Sequence, residues 1–336
     1  MPQLDEYLRQ QAPSMTQWRR DFHLHAESGW LEFRTASMVA DILDGLGYQL
    51  ALGRDVIDAD SRMGLPDEET LAQAFERARE QGAPERWLPA FEGGFAGVVA
   101  TLDTGRPGPT LAFRVDMDAL DLNEQHDDSH RPHRDHFASC NAGMMHACGH
   151  DGHTAIGLGL AHVLKQYAAQ LNGVIKLIFQ PAEEGVGGAL PMIEDGILEN
   201  PHVDAAFALH VEPLEKTGNI QVKDGSIMAS PDDFKIVVHG VGGHASAPEK
   251  CVNPVTIGTA IITEFEKLNA TVLKDKPCVM TVCYFNGGTC NNAIPQTAEI
   301  MGTARSLDNE TREMLIELLD KTAHETAKKN GTTIDF

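Results

Sequence analysis

An α/β chain with a largely parallel sheet, followed by a smaller ferredoxin-like α+β domain, is the fold class this sequence predicts. The first part of that expectation rests on alternation. Strand-like apolar runs at 110–116, 173–180 and 204–211 are separated by helical patterns at 154–171 and 187–195, the order that right-handed crossovers and a parallel sheet require. The second part rests on a change of pattern after Gly225. Strand 233–239, helix 253–268, strands 278–285 and 297–304, helix 310–330 and strand 332–336 follow one another as β-α-β-β-α-β. The expected domains are therefore residues 1–224 and 225–336.

Taken in order, residues 4–46 read as two helices, the second marked by Ala36, Val39, Ala40, Leu43 and Leu46 at helical spacing and by Gly47 as its stop. Between them, the stretch from Arg20 to Glu27 with His23 and His25 is unusually polar. It serves at least as well as a solvated connection as it does as a site. From Gly53 to Glu92 the composition shifts to acidic residues, a charged amphipathic run at 67–81, then Pro84 and Pro89, which predicts an inserted surface helix. Runs at 95–102 and 110–116 predict strands joined by a turn at Arg106-Pro-Gly-Pro109. The histidine-rich segment 126–136 is expected to be an exposed loop and is left out of the site. Ile156, Leu160, Val163, Leu164, Tyr167 and Leu171 then form a helical stripe.

With 336 residues, 42% hydrophobic and 23% charged, the chain can bury a substantial core. A net charge of -22 excludes a nucleic-acid or anionic-membrane surface, because phosphates would be repelled over most of the protein. No apolar run approaches the roughly 18 residues of a membrane span, and the first twenty residues hold no secretory h-region. The six cysteines show no secreted framework spacing, so a cytoplasmic protein is expected. Neither G-x-S-x-G nor a P-loop occurs, which argues against a serine hydrolase or a nucleotide enzyme.

The chemistry concentrates in Met145-His-Ala-Cys-Gly-His-Asp-Gly-His153. Cys148 and His150 flank a glycine that lets the backbone bend toward one ion or two adjacent ions. No second Cys or His pair follows at short spacing, so the other donors must come from elsewhere. Asp116, Glu183, Glu184 and His210 all fall at carboxyl ends of predicted strands, where open α/β sheets place their ligands. Cys148, His150, Glu184 and His210 carry donor types suited to zinc or manganese, and their number supports two metals. Glu183 is surplus to that set. A structural site has no use for a second adjacent carboxylate, whereas hydrolysis needs a general base beside an activated water. His244 in a glycine-rich loop, Asn292 and Arg305 are further polar residues near strand ends in the second domain. On their own these read as turn chemistry and a surface arginine.

Met145-His-Ala-Cys-Gly-His-Asp151, Gln180-Pro-Ala-Glu-Glu-Gly185, Ala208-Leu-His-Val211, Gly243-His-Ala-Ser-Ala-Pro248, Asn292-Ala-Ile-Pro295 and Gly302-Thr-Ala-Arg305 resemble, in order, the amidohydrolase branch of the dinuclear aminoacylase/carboxypeptidase metallopeptidases, peptidase family M20. The resemblance runs over nearly the whole chain. The first half is similar to p-aminobenzoyl-glutamate hydrolases, and the part from Gly187 to more general N-acyl-amino-acid amidohydrolases.

The resemblance implies a phosphorylase/hydrolase-like catalytic domain and a lid/dimerisation domain. It implies two divalent ions (Mn2+ or Zn2+) on Cys148, His150, Glu184 and His210, with Glu183 as the base. It further implies His244 stabilising the oxyanion from a second protomer, and Asn292 and Arg305 holding the substrate, Arg305 by its free carboxylate. Asp116 would orient a ligand, and Arg114 stands where other branches have a histidine. The implied reaction is cleavage of an N-acyl amino acid, p-aminobenzoyl-glutamate or a related aroyl-amino acid, by a homodimer or heterodimer formed through the lid. Ala26 departs from the family's usual proline. The family also resumes its catalytic domain after the lid and supplies a last histidine ligand there. The alternative expectation is therefore a fragment, or a metal-binding subunit with an incomplete site that acts only with a partner or not at all. Exposed apolar surface on the first domain is expected with it.

Overall fold

The computed structural model describes residues 2–185 and 187–336, the side chains of Pro2 and Gln3 aside. The chain divides into two compact units, Met1–Glu215 and Lys216–Phe336. No helix among the described residues is long and apolar enough to cross a membrane.

In the first unit the elements run α1 (Pro2–Leu24), α2 (Phe33–Gly45), β1 (Gln49–Leu52), α3 (Glu68–Glu80), β2 (Val98–Asp103), β3 (Thr110–Asp116), the single turn α4 (Arg131–Arg134), α5 (His150–Gln166), β4 (Val174–Gln180), α6 (Ala189–Glu194) and β5 (Ala205–Ala208). The inserted helix expected at 67–81 is α3, which Asp67 caps by accepting the Thr70 amide at 2.7 Å. The α2 helix is started differently. The buried Glu27 carboxylate accepts the amides of Arg34 at 3.0 Å and Thr35 at 2.8 Å, so a residue upstream of the helix satisfies its free N–H groups.

The five strands form one sheet in the order β1-β2-β4-β3-β5. This corrects the expectation of a largely parallel sheet, for β1 pairs antiparallel with β2 and β2 antiparallel with β4. Only β4, β3 and β5 are mutually parallel. Although β2 and β3 are consecutive and linked by a short turn, they do not pair, because β4 lies between them. A reading that follows the chain cannot see that insertion, since it is decided by which strand buries more apolar surface at the sheet centre. Ile175, Leu177 and Phe179 of β4 point into one core with Val98, Ala100, Val115 and Leu158. Ile178 points to the opposite face, with Trp30, Phe95, Val99 and Ala182. Both faces are covered, as a central strand with period-2 alternation of two apolar sets requires.

The α5 helix packs closely on this sheet. A Cβ at Gly157 would lie 2.9 Å from a Val115 methyl and 3.0 Å from the Phe179 ring, so the absence of a side chain sets the helix-to-sheet distance. That distance in turn places the amino end of α5 over the ends of β3 and β4.

The second unit holds β6 (Ser230–His239), β7 (Gly243–His244), α7 (Pro254–Ala270), β8 (Cys278–Gly287), β9 (Ala293–Ile294), β10 (Thr297–Ser306), α8 (Asn309–Lys329) and β11 (Ile334–Asp335). Its four-stranded antiparallel sheet has the order β11-β6-β10-β8, and β7 pairs with β9 as a separate ribbon. Ile236, Val238 and Ile300 meet Ile257, Ile261 and Phe265 of α7 and Leu315 and Leu319 of α8 on one face. Large apolar side chains are exposed elsewhere, among them Phe207, Leu214, Ile220 and Val222.

Replacing Gly157 with leucine is expected to destabilise the fold by about 1–3 kcal/mol through overpacking against Val115 and Phe179. Chemical denaturation would show this as a lower midpoint at unchanged slope, and an unchanged midpoint would remove the close approach as a constraint.

Candidate metal centre

The three parallel strands end together. Asp116 of β3 pairs with Gln180 of β4, and Arg114 of β3 with Ala208 of β5, so the segments that follow these strands emerge at one rim. The amino end of α5 reaches the same rim. Its N-cap, Gly149, has φ 92°, and a Cβ there would lie 2.5 Å from a Val211 methyl. Both the left-handed backbone and the missing side chain are thus needed to bring Cys148 and His150 beside the end of β5.

The expected donors do come together. Cys148 Sγ lies 3.3 Å from His210 Nε2. His150 Nε2 lies 3.6 Å from Glu184 Oε1 and 4.0 Å from Glu183 Oε2. Ligand atoms of Cys148, His150 and His210 form one group within 4.8 Å of one another, and those of His150, Glu183 and Glu184 form a second. His150 belongs to both.

Two of these atoms give a direct test of whether a cation fits. His150 Nε2 and Glu184 Oε1 are buried and have no hydrogen-bond partner among the described residues. Buried polar atoms are rarely left unpartnered, and a pair facing each other just beyond hydrogen-bond distance suits a shared ion. The electrostatics agree. Burial, with the hydrogen bond and charge of Glu184 and the charges of Glu183 and Asp116, pushes the Cys148 thiol up to about 12. Burial pulls the His150 imidazole down, but Asp118, Asp116 and Glu184 outweigh it and raise its pKa to about 9. Glu183 is also raised, by burial first and then by Glu184 and Asp116. Such an excess of negative charge is what a divalent cation neutralises.

Behind the donors stands a layer that the sequence alone does not reveal. Asp118, wholly buried, faces His150 Nδ1 at 3.2 Å through one oxygen and accepts the Glu184 amide at 2.8 Å through the other. It thereby orients an imidazole and a carboxylate at once. Asp116, expected to orient a ligand, lies 3.8 Å from His150 Nδ1 and instead accepts from His153 Nδ1 at 2.6 Å. His153 Nε2 accepts the Val211 amide at 2.9 Å, which fixes its tautomer and ties α5 to the His210 segment. Arg114 holds the other Asp116 oxygen at 2.7 Å. Burial opposes it, but the His153 hydrogen bond and the Arg114 charge hold the Asp116 carboxyl below its ordinary range. The signals that could have found Asp118 and His153 are the D-x-D spacing from Asp116 and the H-x-x-H spacing from His150.

The early polar stretch is likewise ordered. Buried His23 bridges Asp151 at 2.7 Å and Glu124 at 2.9 Å, and its neighbourhood supports the metal loop from behind. His126 to His136 form the expected largely exposed segment, with His130 reaching back to Glu124.

In the second unit, His244 of β7 pairs with Ala293 of β9, next to Asn292. The His244 ring accepts the Ser246 amide at 3.2 Å, and the Ala245 amide donates to the Asn292 carbonyl at 3.0 Å. Arg305 is exposed near the far end of β10, paired with Pro231 at the start of β6, whereas His239, which leads toward β7, pairs with Thr297. Roughly 25 Å of strand therefore separates Arg305 from the ribbon of His244 and Asn292. One copy of this unit brings two of the three residues together and leaves the third apart.

The fold and the site define a candidate metal centre of hydrolase type, with Cys, His and carboxylate groups clustered at one rim. The profile of Peptidase family M20/M25/M40 matches residues 112–332. Indole-3-acetyl-aspartic acid hydrolase of Enterobacter agglomerans is 53% identical over all of this chain and 76% of its own length. A p-aminobenzoyl-glutamate hydrolase chain of Escherichia coli is 60% identical over 74% of this chain and 56% of its own length. Among solved structures, an aminobenzoyl-glutamate utilization protein from Klebsiella pneumoniae superposes with a TM-score of 0.69 at 53% identity, covering 99% of this chain and 77% of that one. A dinuclear metal binding M20 peptidase of Bacillus subtilis superposes with a TM-score of 0.70 at 28% identity, covering 98% and 73%. The chain belongs to the M20 peptidase family.

Asp118→Ala leaves His150 Nδ1 and the Glu184 amide without their partner. It is expected to weaken zinc or manganese binding about 10- to 100-fold, read by competition with a chelator. Unchanged affinity would mean that the donors hold their positions without Asp118.

Proposed function

We propose that this protein hydrolyses the amide bond of an N-acyl amino acid, with p-aminobenzoyl-glutamate or a related aroyl-amino acid as substrate. The observation that carries the reading is Glu183. It stands beside the donor group, 4.0 Å from His150 Nε2, with its side chain 41% exposed, while Glu184 next to it is the more buried. A carboxylate that is near the donors and open to solvent suits proton transfer better than ligation.

Cys148, His150, Glu184 and His210 would hold two divalent ions, zinc or manganese, which supply Lewis-acid polarisation of the scissile carbonyl and a lowered pKa for the attacking water. Glu183 takes a proton from that water as its oxygen bonds to the carbonyl carbon. It then delivers the proton to the amide nitrogen as the C–N bond breaks, leaving a carboxylic acid and a free amino acid. His244 stabilises the oxyanion, Asn292 binds the substrate, and Arg305 pairs with its free carboxylate.

The distance along β10 supports the assembly this requires. With Arg305 at one end of the sheet and His244 with Asn292 at the other, a single site that uses all three draws them from two copies of the second unit, which acts as a lid and dimerisation domain of ferredoxin-like form. All six cysteines are free, in keeping with a cytoplasmic enzyme.

Glu183→Gln is expected to keep its full metal content and to lose turnover on p-aminobenzoyl-glutamate by about 100-fold or more. Turnover near that of the unmodified chain, with metal confirmed, removes Glu183 as the base. An unmodified chain that takes up metal yet cleaves no N-acyl amino acid replaces the hydrolase reading with a metal-binding subunit.

Mixing inactive His244→Ala and Arg305→Ala chains is expected to restore part of the activity, since a mixed dimer contains one site with both residues intact. No recovery after the chains have exchanged would place the two residues in the same copy's site.

A further inference from the structure

The Glu183 carboxylate is carried on a backbone that would not hold its shape by itself. Ala182, immediately before it, has φ 52°, a left-handed conformation that alanine rarely adopts. The turn is crowded as well, for a Cβ at Gly188 would lie 1.9 Å from the Pro181 carbonyl oxygen. Hydrogen bonds restrain it from both sides. The Gly188 amide donates to the Ala182 carbonyl at 2.8 Å, the Glu184 amide to Asp118 at 2.8 Å, and the Ala182 amide to Glu32 Oε1 at 2.7 Å.

Glu32 is the unexpected member. It sits at the N-cap of α2, far away in sequence, yet its side chain does not cap that helix, and Glu27 does so instead. Its residue is fully buried, and its second oxygen, Oε2, has no hydrogen-bond partner among the described residues. A carboxyl group placed there costs stability that a hydrophobic side chain would not. Its Oε1 accepts the amide of the strained residue.

Resting on the reading of Glu183 as the base, we infer that Glu32 is a positioning residue for this reaction, holding the Ala182 peptide in its left-handed conformation so that Glu183 faces the substrate. The Ala182 and Glu184 amides, on either side of Glu183, are each held by a buried carboxyl group, Glu32 and Asp118. Releasing the first lets Ala182 relax to negative φ, which turns the following peptide and carries the Glu183 side chain away from its place. Asp118 continues to hold Glu184, so metal binding persists.

The test compares two near-isosteric variants of the full chain, Glu32→Gln, which keeps an acceptor for the Ala182 amide, and Glu32→Met, which does not. Bound metal, kcat and KM on p-aminobenzoyl-glutamate, and hydrogen exchange of residues 181–188 are measured for each. Glu32→Met is expected to lose about tenfold or more in kcat, with KM within about twofold, unchanged metal content and faster exchange of 181–188, whereas Glu32→Gln stays within about threefold on all counts. Unchanged kcat and exchange in Glu32→Met overturn the inference, as does loss of metal in step with kcat, which would place the effect on the ligands. If Glu32→Met does not fold, Glu32→Gln decides, and faster exchange or a tenfold loss of kcat there overturns it. If the unmodified chain cleaves no N-acyl amino acid, the functional reading fails by itself, and the exchange rates still show whether Glu32 holds the turn.

Discussion

Everything at the candidate centre depends on one buried carboxylate, Asp118, being shared between two segments. It faces the His150 ring and accepts the Glu184 amide, so the start of α5 and the turn after β4 are registered against each other through a single residue at the end of β3. A charged group this deep is tolerated only when its oxygens are satisfied, and both are. The same constraint explains why the donors are left unsatisfied among themselves. His150 Nε2 and Glu184 Oε1 are held facing each other by Asp118 behind them, which contacts the His150 ring and the Glu184 amide.

The sheet serves this arrangement more economically than a fully parallel one would. Only β4, β3 and β5 must share a direction for the segments that follow them to meet, and those three do. The antiparallel strands serve the core instead, β2 through Val98, Ala100 and Leu102 and β1 through Leu50 and Leu52 packed against it. The convergence of Asp116, the Glu183 turn and His210 is therefore legible from strand ends even though the overall strand directions are not. The rule about carboxyl ends applies strand by strand.

Legibility followed from how local each signal was. Thr110–Asp116 and Val174–Gln180 could be delimited almost to the residue, because a strand buried on both faces is a continuous apolar run between turn residues. Cys148, His150, Glu184 and His210, which the fold brings to one rim, could be singled out as candidates because thiol, imidazole and carboxylate at strand ends have few other uses. His23 and Glu32 could not be assigned. Each is a polar residue in a connecting stretch whose partners, Asp151 and Glu124 for one and the Ala182 amide for the other, lie far along the chain.

By itself the sequence determined which thiol, imidazole and carboxylate groups are candidates for the site, and the change of pattern near Gly225, because side-chain chemistry and hydrophobic period are written residue by residue. Only the tertiary structure decided that β4 separates β2 from β3, that Asp118 rather than Asp116 orients His150, and that Arg305 lies at the opposite end of its sheet from His244. Those are questions of which distant groups share a neighbourhood. The answer is set by packing and by the satisfaction of buried polar atoms over the whole fold, and no stretch of chain contains it.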